Sequence, residues 1–300
     1  MAKKDHIIRC ITSDGTLIAM AADTTNTVYT AQQIHGCSAV ASAALGRLLT
    51  ASAMMGNMLK GEGASLTLRV KGGGPIGSLV AVADNAGHCR GYAENAAVEL
   101  PLNSIGKLDV GGAVGRDGQL NVMKDLGSGQ PYNGQVNLVS GEIAEDITEY
   151  YARSEQTPTV CALGVLTDKQ DHSVLLAGGL LVQLLPTAGD EEIDQLEKNL
   201  AELEPMTTML AKGMTMEEIC RKALAGFTVE VLDETPVEYA CTCSQERVRA
   251  AIALLSPEEI RSLPDETGFA QVNCQFCNKS YRIGREELEA LARARENAET

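Results

Sequence analysis

The chain has no tryptophan, and aromatic residues make up only 3% of its 300 positions. That scarcity leaves little material for the stacking platforms that hold single-stranded nucleic acid. Positive charge is short as well: 25 Lys and Arg stand against 40 Asp and Glu, a net charge of −15. Such a chain repels a phosphate backbone unless a local basic face exists. Residues 241–300, which carry the paired cysteines, hold eight basic and ten acidic residues, a net of −2. No nucleic-acid partner is expected. No run of about 18 apolar residues suggests a membrane span. The opening MAKKDHIIRC lacks the apolar region of a secretory leader. The expectation is a cytoplasmic protein with no membrane partner.

Catalytic signatures are also missing. H-E-x-x-H and G-x-S-x-G do not occur, and neither KGGGPIG (71–77) nor GGAVGRDG (111–118) carries the G-K-[ST] ending of a phosphate loop. Pro75 moreover sits where a donated amide would be needed. Both clusters read as turns between strands. Cys37 follows His35 by two residues, and residues two apart on a helix face different ways. Cys37 therefore reads as a small buried hydrophobe rather than a nucleophile. An enzyme is not expected.

What is present is enough apolar residue, 44%, for more than one core. Residues 5–23 alternate around Ser13-Asp14-Gly15, a hairpin signature. An Ala-rich stretch to Lys60 reads as two helices divided near Gly36. SLTLRVKG, GSLVAVADN, CRGYAEN, QLNVMKDLG and GQVNLVSG read as strands, EIAEDITEYYARS as a helix, and TVCALGVLTD with HSVLLAGGLLVQLL as a long hairpin. This is an α+β domain, a mixture of sheet and helix, spanning 1–186. Between Asp190 and Glu204 seven acidic residues stand against one Lys. Ile193, Leu196, Leu200 and Leu203 share one stripe there, so the stretch predicts an amphipathic helix. Two shorter helices follow, making 187–235 a helical linker of modest stability. Residues 236–300 form a small C-terminal domain with three helices and a hairpin around Cys274 to Ile283.

That last domain carries Cys241-x-Cys243 and Cys274-x-x-Cys277. In a reducing compartment nine cysteines argue for metal ligation, redox sensing or burial, not for a disulfide framework. The x-x spacing lets two sulfurs converge on one tetrahedral ion. All four histidines, His6, His35, His88 and His172, lie in the first domain, so a site here is all-thiolate. Four thiolates suit Zn²⁺, one per chain in the reduced state. A thioredoxin-like motif would want a single pair at a strand-to-helix turn. The readings left open are a purely structural zinc staple, as in an adaptor binding protein or nucleic acid, and a redox switch. Met54, Met55 and Met58, with Met206, Met209, Met214 and Met216, offer soft contact surface or ordinary core filling. Cys10, Cys37, Cys89, Cys161 and Cys220 have no assigned role at this stage.

The order of an α+β domain, a helical connector and YACTCSQERV followed by NCQFCNKSY resembles the redox-regulated thirty-three-kilodalton chaperonins, bacterial heat-shock holdases. The resemblance covers essentially the whole chain, with no departure in the cysteine pattern. It implies that Cys241, Cys243, Cys274 and Cys277 bind zinc when reduced. It further implies disulfides Cys241–Cys243 and Cys274–Cys277 when oxidised. The implied activity is an ATP-independent chaperone for unfolding client proteins under oxidative stress, inactive when reduced, active and homodimeric when oxidised.

Overall fold

The computed structural model describes residues 4–127 and 129–299 and divides into two compact units between Ala240 and Cys241. In the first, β1 (His6–Thr12) and β2 (Leu17–Asp23) form the expected hairpin, with Gly15 left-handed at φ 69° in its turn. Helix α1 (Thr25–His35) stops at Gly36, whose φ of 60° lets its N–H reach back to the Gln32 carbonyl. Ser38 then caps α2 (Ala39–Asn57) by accepting the Ala41 N–H at 3.2 Å.

A six-stranded sheet follows. Five of its strands are β3 (Ser65–Lys71), β4 (Ser78–Asp84), β5 (His88–Ala93), β6 (Gln119–Asp125) and β7 (Tyr132–Asn137), in the order β5-β4-β3-β6-β7, and the sixth, from late in the chain, adds beside β5. Before β6 the structure departs from the expected plain turn, because Val110–Val114 forms a short helix, α3, capped by Asp109. The two glycine clusters pack against each other. Gly74 donates to the Val114 carbonyl at 2.9 Å and Ile76 to the Ala113 carbonyl at 3.0 Å. A Cβ on Gly72 or Gly74 would overlap the 113–115 backbone, so close backbone approach accounts for these glycines.

Helix α4 (Ala144–Tyr150) runs into one π-helical turn, Tyr151–Glu155, and the long hairpin β8 (Thr159–Thr167) and β9 (Val174–Leu184) comes next. These two strands join β1 and β2 in a second sheet, which is buried on both faces. Alternation sorts its residues. Ile7, Met20, Ala22 and Leu181 face α2, while Ile8, Cys10, Leu17, Ala19, Ala21, Leu180 and Val182 face the opposite side. Helix α2 is long and apolar enough to cross a membrane by length and composition, but 89% of that stretch is buried, as the core helix between the two sheets.

Three helices follow, α5 (Asp190–Ala201), α6 (Met206–Ala211) and α7 (Met216–Ala223); α6 and α7 cover the second face of this sheet, and α5 packs on α7. Leu196, Met206, Met209, Leu210, Met216, Ile219 and Cys220 are buried there, and Leu200, Leu203 and Met214 partly so. Met54 and Met55 are buried in the first core. In this state the methionines therefore fill cores. Residues 187–235 were expected to be helical, but their last part is strand. Chain β10 (Val229–Pro236) pairs antiparallel with β1 at the edge of the five-stranded sheet. Chain β11 (Glu238–Tyr239) then adds parallel to β5. VEVLDETP has mostly exposed side chains, so its strand state comes from β1's free backbone groups and not from an apolar face.

The second unit contains α8 (Gln245–Ile252), α9 (Pro257–Ser262), the hairpin β12 (Phe269–Asn273) and β13 (Ser280–Gly284), and α10 (Arg285–Glu299). Ser256 and Glu259 form a capping box with Pro257 at the first helical position, as the sequence SPEE suggests. The apolar core is thin: Ile252, Ile260, Ala270, Ile283, Leu288 and Ala292. A core of that size is marginal alone.

Candidate metal centre

Two turns bring the cysteines together. Cys274 and Cys277 sit on the tight connection between β12 and β13, where Cys274 N–H donates to the Lys279 carbonyl at 2.9 Å and Asn278 N–H to the Cys274 carbonyl at 2.8 Å. Asn278 takes the left-handed conformation, φ 58°, which closes the turn and which asparagine tolerates better than most residues. Cys241 and Cys243 lie on the segment entering α8. Ser244 caps that helix by accepting the Arg247 N–H at 3.2 Å. Arg247 in turn donates to the Thr242 carbonyl at 3.1 Å and to its hydroxyl, which fixes the residue between the two cysteines.

The four sulfurs lie within 4.8 Å of one another, a group able to hold a metal ion. The nearest approaches run between the motifs: Cys241 to Cys274 at 3.7 Å and Cys243 to Cys277 at 3.3 Å. Sulfurs bound tetrahedrally about 2.3 Å from a zinc ion stand roughly 3.8 Å apart, so spacing and donor chemistry both fit. Tyr281, on β13, was not singled out from the sequence. Its hydroxyl donates to Cys243 Sγ at 3.0 Å. Its only sequence signal was its place just beyond the second cysteine pair.

The thiols are electrostatically unequal. Burial works against ionising Cys243, but hydrogen bonds from Tyr281 and the neighbouring thiols outweigh it and bring Cys243 down to about 7. Burial, with the thiol contacts adding to it, pushes Cys277 up to about 12. Burial likewise raises Cys241. The bond to Cys243 pushes Tyr281 up to about 12, so the phenol stays protonated as a donor.

His35 and Cys37 do not form a catalytic pair. His35 Nε2 is 3.2 Å from the Tyr239 hydroxyl, and Cys37 is buried in the first core with its thiol pushed up to about 12.

An α+β unit with a five-stranded sheet, followed by a small unit in which four cysteine thiols converge, is the architecture of the chaperonin family that the comparisons match. The chain belongs to the Hsp33 family, whose model matches residues 5–284. It is 47% identical over 290 residues to the 33 kDa chaperonin of Acetivibrio thermocellus, covering 97% of each chain. It is 47% identical over 287 residues to that of Bacillus licheniformis, covering 96% of this chain and 98% of that one. The crystal structure of the 33 kDa chaperonin from Thermotoga maritima superposes with a TM-score of 0.87 at 32% identity, covering 98% of this chain and all of that one.

Proposed function

We propose that the chain is an ATP-independent holdase whose client binding is governed by the oxidation state of its four C-terminal cysteines. The observation that carries this reading is the convergence of four sulfurs in a unit with so thin an apolar core. Cys241, Cys243, Cys274 and Cys277 would hold one Zn²⁺ in the reduced chain. That ion would supply cohesion on the order of 10 kcal/mol, which in such small domains is folding free energy. Forming Cys241–Cys243 and Cys274–Cys277 disulfides would consume all four thiolates, each bond passing two electrons to the oxidant and leaving the ion without donors. A unit deprived of its donors is left with six buried apolar residues, too few to hold it folded.

Residues 1–186 would be the client-binding core, 187–235 the linker that transmits the change, and 236–300 the redox switch. Two features support the transmission. The chain passes from Ala240, whose N–H donates to the Cys89 carbonyl at 2.9 Å, to Cys241 with no residue between. Loosening of the second unit therefore frees the end that follows β11. In addition, α6 and α7 cover a sheet face, and Ile8, Leu180 and Val182 share one apolar cluster with Met206, Met209 and Met216. Undocking would expose an apolar, methionine-rich surface, adaptable enough for unfolding clients without sequence selection. The oxidised chain would act as a homodimer, without nucleic acid or membrane as partner, and a cytoplasmic, thiol-reducing setting suits the resting state.

The test compares aggregation of a denatured client in the presence of reduced zinc-loaded and oxidised zinc-free chain. Suppression by the oxidised form alone is expected. Equal activity of both forms would reduce the cysteines to a structural staple.

A further inference from the structure

The turn between α6 and α7 closes one helix and opens the next, and a single thioether belongs to both ends. Gly213, at φ 77°, follows the last turn of α6. Its N–H donates to the Leu210 carbonyl at 2.9 Å, and the Met214 N–H donates to the Met209 carbonyl at 3.2 Å. This pair of bonds is a Schellman ending, in which the residue after the glycine packs back on the helix it closes. Met214 also precedes Thr215, whose capping box with Glu218 starts α7. In that place an apolar side chain meets the fourth residue of the new helix, here Ile219. Met214 packs against the buried cluster that contains both Met209 and Ile219.

Access separates this methionine from its neighbours. Met206, Met209 and Met216 are 3%, 0% and 0% exposed, whereas Met214 is only partly buried. An oxidant in solvent therefore meets the Met214 sulfur while the helices are still docked.

We propose that Met214 is an oxidation site, which a peroxide converts to methionine sulfoxide and which then loosens the α6–α7 joint from the five-stranded sheet. A thioether reacts through a sulfur lone pair without first ionising, so the step needs no neighbouring base. The sulfur attacks one oxygen of hydrogen peroxide, the O–O bond breaks, and the leaving hydroxide takes the proton of the new S–OH group as water. In balance, one thioether and one peroxide give one sulfoxide and one water. The product is polar, and its oxygen is an acceptor that an apolar layer leaves unpaired. The side chain leaves the cluster, and both helix ends lose the contact that Met214 gave them. Because α6 and α7 cover the sheet face, the loss falls on their docking. Thiol reductants restore cysteines but not a sulfoxide, which needs its own reductase. The site is thus a second oxidative input that outlasts the first. If the linker's release is the activating step, a clause that alone rests on the function proposed above, this oxidation favours activation with all four C-terminal thiols reduced.

The experiment treats the full chain with hydrogen peroxide, restores the thiols with dithiothreitol and zinc, confirms them by alkylation, and maps methionine oxidation by peptide mass. Met123, 41% exposed on β6, is the internal reference for open access. Met214 should oxidise within about tenfold of the Met123 rate, and Met206, Met209 and Met216 far more slowly. In the chain carrying the Met214 sulfoxide, amide exchange across 206–223 should quicken on the order of tenfold. Met214→Leu keeps an apolar side chain of similar volume without the sulfur. It should lose this response to peroxide, and Met123→Leu should keep it. Met214 left unoxidised after Met123 is fully converted, a sulfoxide at 214 with exchange unchanged, or an equal response in Met214→Leu would each overturn the proposal. The map and the exchange of the unaltered chain need no variant to fold. Both are read whatever the aggregation assay reports, so the two proposals fail separately.

Discussion

The Tyr281 hydroxyl donates to Cys243 Sγ at 3.0 Å, placing a neutral donor behind a thiol drawn down to about 7. Groups of this kind orient ligands and tune their basicity, and their loss typically lowers metal affinity by about tenfold or more. Tyr281→Phe keeps the ring and removes only the donor. Competition with a chelating indicator should report weaker zinc retention, while the hairpin's hydrogen exchange stays as in the parent. Unchanged affinity would leave Tyr281 a packing residue.

Metal content and oxidation order form a second prediction. The reduced chain should carry one zinc, released as the C-terminal four thiols are modified. Release that tracked Cys37, Cys89 or Cys161 would point elsewhere. The β12–β13 turn already holds Cys274 and Cys277 together, whereas Cys241 and Cys243 must bridge across Thr242, near the limit of disulfide geometry. Cys274–Cys277 should therefore close first. Trapped intermediates mapped by mass spectrometry decide this, and a Cys243–Cys277 bond, between the nearest sulfurs, is the outcome that would replace the scheme.

The linker's docking can be weakened by design. Leu196 is buried in the apolar layer where α5 packs on α7, and Leu200 only partly. Leu196→Ser should cost about 2 kcal/mol or more through lost transfer energy and a cavity, and Leu200→Ser about 1 kcal/mol. The reduced, zinc-loaded double variant should suppress client aggregation and exchange amides faster across 190–223. If it stays inactive with those amides as protected as in the parent, linker undocking is not the on-switch.

A pH effect belongs to Glu204. Hydrogen bonds from Lys212 and Lys222, the latter at 2.9 Å, tie the end of α5 to α6 and α7 and hold its carboxyl at about 2 against an ordinary 4.5. The folded value is the lower one, so its contribution is present above pH 4.5 and fades as pH falls towards 2. The carboxylate is exposed, so the effect should also shrink in high salt. Glu204→Gln should lower the melting temperature at neutral pH and converge with the parent near pH 2. Parallel melting curves across that range would deny the linkage.

Much of this protein could be read in advance, because local chemistry carried it. Ser13-Asp14-Gly15 fixes a hairpin turn, Gly36 ends a helix through a conformation that side chains disfavour, and SPEE writes its own capping box. Two cysteine pairs with no histidine nearby in sequence restrict the donor set to sulfur. Each of these signals acts within a few residues, so no partner is needed to interpret it. β10 and β11 left no such signal. VEVLDETP has no apolar face, and its strand state exists because β1 offers unpaired backbone groups more than two hundred residues earlier in the chain. The short helix α3 within a glycine cluster and the Tyr281 donor arise in the same way. Each depends on where distant segments come to rest, a choice made by burying both faces of one sheet, and only the tertiary structure makes that choice.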